Sequence, residues 1–421
     1  MTRLIDIAAP PRLGTGFRWL LSSSWVTQLS DGIAIAAGPL LIASQTDDPL
    51  LVAMAALLQW LPPLLFGLYA GALSDRLDRR LIVIVVNLVR ALVLVVIAAS
   101  IVTDSISIAV VLGSLFVLGT AEVFADNTSQ TLLPMLVRRE DLAVANSRLQ
   151  TGFITVNQLA GPPIGAAMFA AGMALPFIGQ ALLVAGGALL VSRVVLPPLS
   201  RDPARQTHIR QDIAEGLRWV RNHAAVRTLV LTIFIFNITF GAAWAVLVLY
   251  ATRRLGLDEI GFGLLTTVSA AGGLLGTVTY GWITRRVSLG NIMRIGLIIE
   301  TLTHLGLALT TSPAVAMAIF FVFGAHAFVW GTTSITVRQR AVPAALQGRV
   351  GSVNTVGVFG GLVVGSGFGG LLARQFDVTA PFWFGFAGSA LFVVLIWREL
   401  RHIAHADEAP APLDEGTAAP S

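Results

Sequence analysis

The run from Leu81 to Ile97, LIVIVVNLVRALVLVVI, has Asn87 and Arg90 as its only polar residues. Similar stretches recur along the chain at 19–44, 50–73, 81–102, 107–131, 146–171, 174–196, 228–252, 260–284, 291–311, 313–337, 350–373 and 380–397. A helix crossing the hydrocarbon core of a bilayer needs roughly 20 mostly apolar residues. The pattern therefore predicts an all-α polytopic membrane protein with twelve transmembrane helices. Only 12% of the 421 residues are charged and 55% are hydrophobic, which leaves too few polar groups to cover a soluble body of this size. A spanning β-barrel would show short strands of alternating polarity, and the continuously apolar runs exclude it.

Every basic residue other than histidine is arginine, and their placement accounts for the net charge of +5. With the N-terminus inside, Arg76, Arg79, Arg80, Arg138, Arg139, Arg201, Arg205, Arg210, Arg285, Arg286, Arg398 and Arg401 all fall in cytoplasmic segments. The opposite loops hold only Arg253, Arg254 and Arg374. The positive-inside rule then predicts a multi-pass protein of the inner (cytoplasmic) membrane with both termini cytoplasmic. The basic balance reflects topology, so no nucleic-acid partner is expected. The absence of cysteine excludes disulfides and thiolate metal sites.

The longest polar break follows the sixth stretch and predicts the domain organisation. Residues 1–196 form an N-terminal six-helix bundle, 197–227 a cytoplasmic linker, 228–400 a C-terminal six-helix bundle and 401–421 a disordered cytoplasmic tail. Within the linker, Ile209, Ile213, Leu217 and Val220 recur at helical spacing between charged residues, which describes an interfacial amphipathic helix. The halves repeat. Gly71 returns as Gly281, Gly32 as Gly241, and Gln130 with Pro134 as Gln339 with Pro343, all at nearly one offset. Two pseudo-symmetric bundles of this kind enclose a midplane site in secondary transporters.

The segment Gly71-Ala-Leu-Ser-Asp75-Arg76-Leu-Asp78-Arg79-Arg80 resembles the signature loop of the major facilitator superfamily, with Asp78 replacing its second glycine. A glycine lets helices approach closely, and an acid among arginines can exchange partners as two bundles rock. Gly71, Asp75, Arg76, Arg79 and Arg80 are thus the expected conformational-switch loop. Gly161-Pro162-Pro163-Ile164-Gly165 is similar to the core of that family's antiporter motif and predicts a bend in the fifth helix at Gly161, Pro162 and Gly165. Four further phrases narrow the resemblance: Ser30-Asp31-Gly32, Ala145-Asn146-Ser147, Glu215-Gly-Leu-Arg218 and Gly348-Arg349-Val350. With them the chain resembles the branch of macrolide-efflux and enterobactin-exporter proteins. The resemblance implies the major facilitator fold and proton-coupled efflux of a hydrophobic or amphipathic small molecule of the drug, macrolide or siderophore class. Near Gly119 this chain has Leu115, Phe116, Val117 and Leu118 where many proton-coupled relatives carry an arginine.

Ionisable groups at membrane depth are costly and so mark candidate sites. The family fold places the first, fourth, seventh and tenth helices around the cavity, making Asp31, Glu122, Asp126 and His326 the coupling candidates. Asp31 is the preferred proton carrier, because a desolvated carboxyl titrates nearer neutrality. Arg90 and Glu122, at matching depths, are expected to neutralise each other, and Glu300 and His304 to share a helix face. Asn237, Trp244, Phe328 and Trp330 are the substrate-cavity candidates, the aromatic rings offering flat apolar surface to a drug-like molecule. The chain has no Walker A loop, dinucleotide-binding glycine loop, His-Glu-x-x-His or Gly-x-Ser-x-Gly, so neither enzymatic chemistry, a cofactor nor a metal is expected. The expected partners are the lipid bilayer, the small-molecule substrate and protons, with the protein acting as a monomer. An importer or facilitator of a small metabolite is the alternative, and a non-transporting membrane receptor or scaffold a third reading.

Overall fold

The computed structural model describes residues 10–74, 77–195, 209–343 and 346–397, all in helices and short connections. Asp75, Arg76, all of 197–208 and the tail 401–421 lie outside the described residues. In chain order the apolar helices are α1 (Gly14–Gln45), α2 (Pro49–Ser74), α3 (Arg79–Val102), α4 (Ile108–Leu136), α5 (residues 142–171), α6 (Leu175–Val191), α7 (Ala224–Trp244), α8 (Glu259–Thr284), α9 (Leu289–Leu309), α10 (Pro313–Ala341), α11 (Gln347–Gln375) and α12 (Ala380–Ile396). Among the described residues nine helices are long and apolar enough to cross a membrane, with α6 and α12 shorter. The remaining one, α5, is a continuous helical run that widens to π turns over Phe153–Ala160. Pro162 and Pro163 follow directly and lack the N–H groups that would close ordinary turns back onto this segment. Gly71, expected in the switch loop, and its repeat Gly281 lie inside α2 and α8, within the last turns of those helices.

Several polar breaks cap the helices they precede. Asp78 accepts from the backbone N–H groups of Arg80 and Leu81 at the start of α3, at 2.9 and 3.1 Å. Asp258 and Ser288 do the same for α8 and α9. The departure from the signature pattern at Asp78 thus has a local cause: an anion at a helix N-terminus outweighs the glycine.

The helix contacts repeat between halves. The pairs α1–α5, α1–α6, α3–α6, α3–α4 and α2–α4 reappear as α7–α11, α7–α12, α9–α12, α9–α10 and α8–α10. The glycines explain the tightest of them. A Cβ on Gly32 would meet the Asn157 and Gly161 backbone, and one on Gly165 the Ile33 backbone, so α1 and α5 cross in direct backbone contact. Gly241, Gly361 and Gly365 do the same for α7 and α11. Between the halves the main pairings are α2–α11 and α5–α8, again related by the repeat.

The outer surface is apolar where α3, α6, α9 and α12 expose it, with Leu92, Leu182, Leu302 and Leu391 all more than half exposed. The linker helix, Ile209–Asn222, packs Val220 and Trp219 against Val226, Val342, Val350 and Val353. Glu215 is paired with Arg349 at 2.5 Å, which fastens the linker to the start of α11.

Candidate functional site

Asp31 lies beside the glycine crossing of α1 and α5, and its carboxylate accepts from the guanidinium of Arg90 on α3. Both side chains are nearly buried, at 10% and 7% exposure. Arg90 also donates to Asn87, one turn earlier on α3, at 3.3 Å. The expected Arg90–Glu122 pair is therefore corrected: the partner is Asp31, because the rotation of α3 about its axis turns the guanidinium toward α1. Glu122 and Asp126 remain within electrostatic reach of both Arg90 and Asp31. Three carboxylates thus surround one guanidinium at membrane depth.

These acids do not share one environment. Glu122, Asp126 and Gln130 follow at four-residue spacing on α4, and exposure rises along them from half-buried Glu122 to exposed Asp126 and Gln130. A polar exposed stripe on a helix packed against α2 and α3 marks an aqueous face, since lipid would be met by apolar side chains as on α3. Thr332 and Gln339 form a comparable exposed stripe on α10.

The second bundle holds a separate polar cluster. His326 on α10 is buried and faces Glu300 on α9, with Nε2 to carboxylate at 3.8 Å. His304, fully buried, bonds through Nδ1 to the Glu300 carbonyl at 2.9 Å, and its ring packs on Gly385 of α12. His326, expected at the cavity, is instead directed toward α9, where Gly296 makes room for its ring.

The aromatic candidates also face into the second bundle. Trp330 lies over Gly296 of α9 and Phe328 over Gly273 of α8. Trp244 stacks on Phe240 at 4.2 Å and lies tilted against Phe323 at 4.9 Å, forming an aromatic group with Phe320. Asn237, half-buried, donates to its own helix at Ile233 and packs against Gly361. In the signature loop, Arg79 donates to the Thr131 carbonyl and Arg80 to the Val194 carbonyl at 3.5 and 3.1 Å, tying α3 to the ends of α4 and α6.

On the face opposite the linker, neighbouring acids Asp47 and Asp48 each take an arginine from the second half. Arg253 meets Asp47 at 2.7 Å, and Arg374 meets Asp48 at 3.6 Å. Beneath them Ala53, Ala245, Val246 and Ala373 form one small apolar core across the halves, and Gly370 admits Ala53 and Leu50. Sequence reading gave Asn87 no role and did not single out this pair of latches. Asn87 precedes Arg90 at same-face spacing, which was a usable signal, whereas the latch partners are more than two hundred residues apart in the chain.

A family model described as transmembrane secretion effector, MFS_3, matches residues 8–417. The chain belongs to this family of the major facilitator superfamily. Within the superfamily it is similar to the multidrug efflux pump Tap of Mycolicibacterium fortuitum, 27% identical over 84% of this chain and 87% of that protein. It is also similar to macrolide efflux protein A of Streptococcus pyogenes, 22% identical over 84% of this chain and 88% of the relative. Among solved structures, a bacterial homologue of the iron transporter ferroportin in its inward-facing state shares the fold with a TM-score of 0.73. That match has 18% identity and covers 91% of this chain and 98% of the other. The outward-facing state of that homologue superposes less well, with a TM-score of 0.58. As a major facilitator protein the chain is a multi-pass membrane transporter.

Proposed function

We propose that this protein exports a hydrophobic or amphipathic small molecule of the drug or macrolide class across the cytoplasmic membrane, with both termini inside, in exchange for protons by alternating access. The observation that carries the reading is the cluster of Asp31, Glu122 and Asp126 around Arg90, set at the inner end of the aqueous stripe on α4. A proton arriving on one of these carboxylates changes the charge that Arg90 must balance, and low-dielectric surroundings make that change large. The similar efflux pumps support the direction of transport, and the arginine distribution supports the orientation. Asp31 remains the preferred carrier, with Glu122 and Asp126 as proton donors or acceptors toward the aqueous face and His326 as a further candidate. The apolar rings of Trp244, Phe328 and Trp330, with Asn237, are the proposed boundary of the substrate path when the second bundle moves.

The test is efflux of a panel of macrolides and lipophilic dyes from cells expressing the protein, with and without a protonophore. Expression should lower accumulation of at least one compound, and the protonophore should abolish the difference. Unchanged accumulation across the panel, or efflux indifferent to the protonophore, would overturn the reading.

The latched face has its own consequence. Asp47 and Arg253 are solvent-exposed enough that their pair contributes little to folding, yet it must separate if that face opens. Arg253→Gln combined with Asp48→Asn should leave thermal unfolding nearly unchanged while raising the reactivity of a single cysteine introduced at Ala53 toward a membrane-impermeant thiol reagent. The native chain has no cysteine, so that label is unambiguous. Equal labelling in latched and unlatched protein would remove the latch from the mechanism.

A further inference from the structure

The loop between α8 and α9 and the end of α12 enclose an open cleft of about 490 Å³ on the outer surface of the second bundle, remote from the charge cluster. Arg286, Ser288, Asn291, Arg294 and Trp397 line its polar side, and Ile295 and Ile298 continue it along α9. Both isoleucines are exposed, as are Leu302 and Leu309 further along the helix, so the cleft opens onto a lipid-facing strip. Each arginine lies over an indole: Arg286 is 4.2 Å from the Trp282 ring centre and Arg294 5.5 Å from that of Trp397. Tryptophan at this level is characteristic of the membrane–water boundary, and the stacking holds both guanidinium planes in place.

No carboxylate among the described residues pairs with Arg286 or Arg294. The contact of Arg294 is to Asn291 at 3.5 Å, and its Nε is buried without an acceptor. Comparison with the first half sharpens the point. There the equivalent position before α3 is Asp78, an anion capping the helix. Before α9 it is the neutral Ser288. The first half thus supplies its own negative charge at this helix N-terminus. The second half has lost it and added Arg294 where α3 carries Ile84.

We propose that this cleft binds the headgroup of an anionic phospholipid from the leaflet on the linker face, its phosphate held by Arg286, Arg294 and the start of α9. One acyl chain lies along Ile295 and Ile298. A phosphodiester supplies the missing anion at the helix N-terminus and acceptors for the two guanidinium groups. The apolar strip continuous with the cleft selects a lipid over a free anion, because a soluble phosphate would leave that strip unused.

The test uses the intact chain purified in detergent, with lipid retention read by native mass spectrometry against phosphatidylglycerol and phosphatidylcholine. Wild type should retain phosphatidylglycerol in preference to phosphatidylcholine, and the double variant Arg286→Gln, Arg294→Gln should lose that preference by roughly 25-fold, fivefold per interfacial arginine. Arg193→Gln, which removes one exposed charge from the end of α6, should retain it. Arg294→Lys, which keeps the charge, should retain most of it and guards against a folding defect in the double variant. Equal retention of both lipids by wild type, equal loss in the Arg193 variant, or displacement of the lipid by inorganic phosphate or glycerol phosphate would overturn the assignment.

Discussion

Arg90→Leu should destabilise the protein more than replacement of any one carboxylate around it. Removing the guanidinium leaves Asp31, Glu122 and Asp126 facing one another with no cation, whereas Asp31→Leu leaves Arg90 with two acids still in reach. Breaking a buried ion pair from one side costs about 3–5 kcal/mol, and removing both partners costs much less. The double variant Asp31→Leu, Arg90→Leu should therefore unfold at a higher temperature than Arg90→Leu alone, with a coupling energy of about 1–3 kcal/mol in a double-mutant cycle. Additive losses would count against the direct pair.

The same site separates folding from transport. Asp31→Asn keeps the shape of the side chain and a hydrogen-bond acceptor for Arg90 but cannot take up a proton. That variant should fold and bind substrate, yet lose transport driven by a pH gradient in proteoliposomes. Gradient-driven transport at the wild-type rate in Asp31→Asn would move the coupled proton to Glu122, Asp126 or His326. Only Asp126 among these four is solvent-exposed, so Asp126→Asn would then be the next variant to measure.

The second large effect is expected at the helix crossing. Gly161→Val should prevent recovery of folded protein, because the added Cβ would fall against the backbone of Gly32 and Ile33. Overpacking usually costs about 1–3 kcal/mol when neighbouring side chains can turn aside, and backbone cannot, so the cost here lies at or above the top of that range. Gly113→Ala, in a helix of the same bundle with nothing within 4 Å of its added Cβ, is the control and should behave as wild type. Monodisperse Gly161→Val protein with an unchanged unfolding temperature would show that α1 and α5 do not cross in this way.

The sequence by itself determined what depends on local composition. Stretches such as Leu81 to Ile97 require lipid and helical backbone whatever surrounds them, since an unpaired peptide group in hydrocarbon is prohibitive. The duplication was legible for the same reason: Gly32 and Gly241 recur in register, and each proves to be a crossing point. The identity of the charged residues at membrane depth was legible too, because each stands out against an apolar run. Tertiary structure alone decided whom each of them meets. Depth along a helix follows from counting residues, which is why Arg90 and Glu122 were matched, but the direction a side chain takes follows from how each helix is rotated about its axis. That rotation is set by distant contacts, chiefly the glycine crossings of α1 with α5 and α7 with α11. It turns Arg90 toward Asp31, His326 toward Glu300, and Trp330 and Phe328 into their own bundle. The latches of Asp47 with Arg253 and Asp48 with Arg374 belong to the same class. They join the α1–α2 connection to helical turns of the other half, and no local pattern encodes a distance that exists only once both halves are packed.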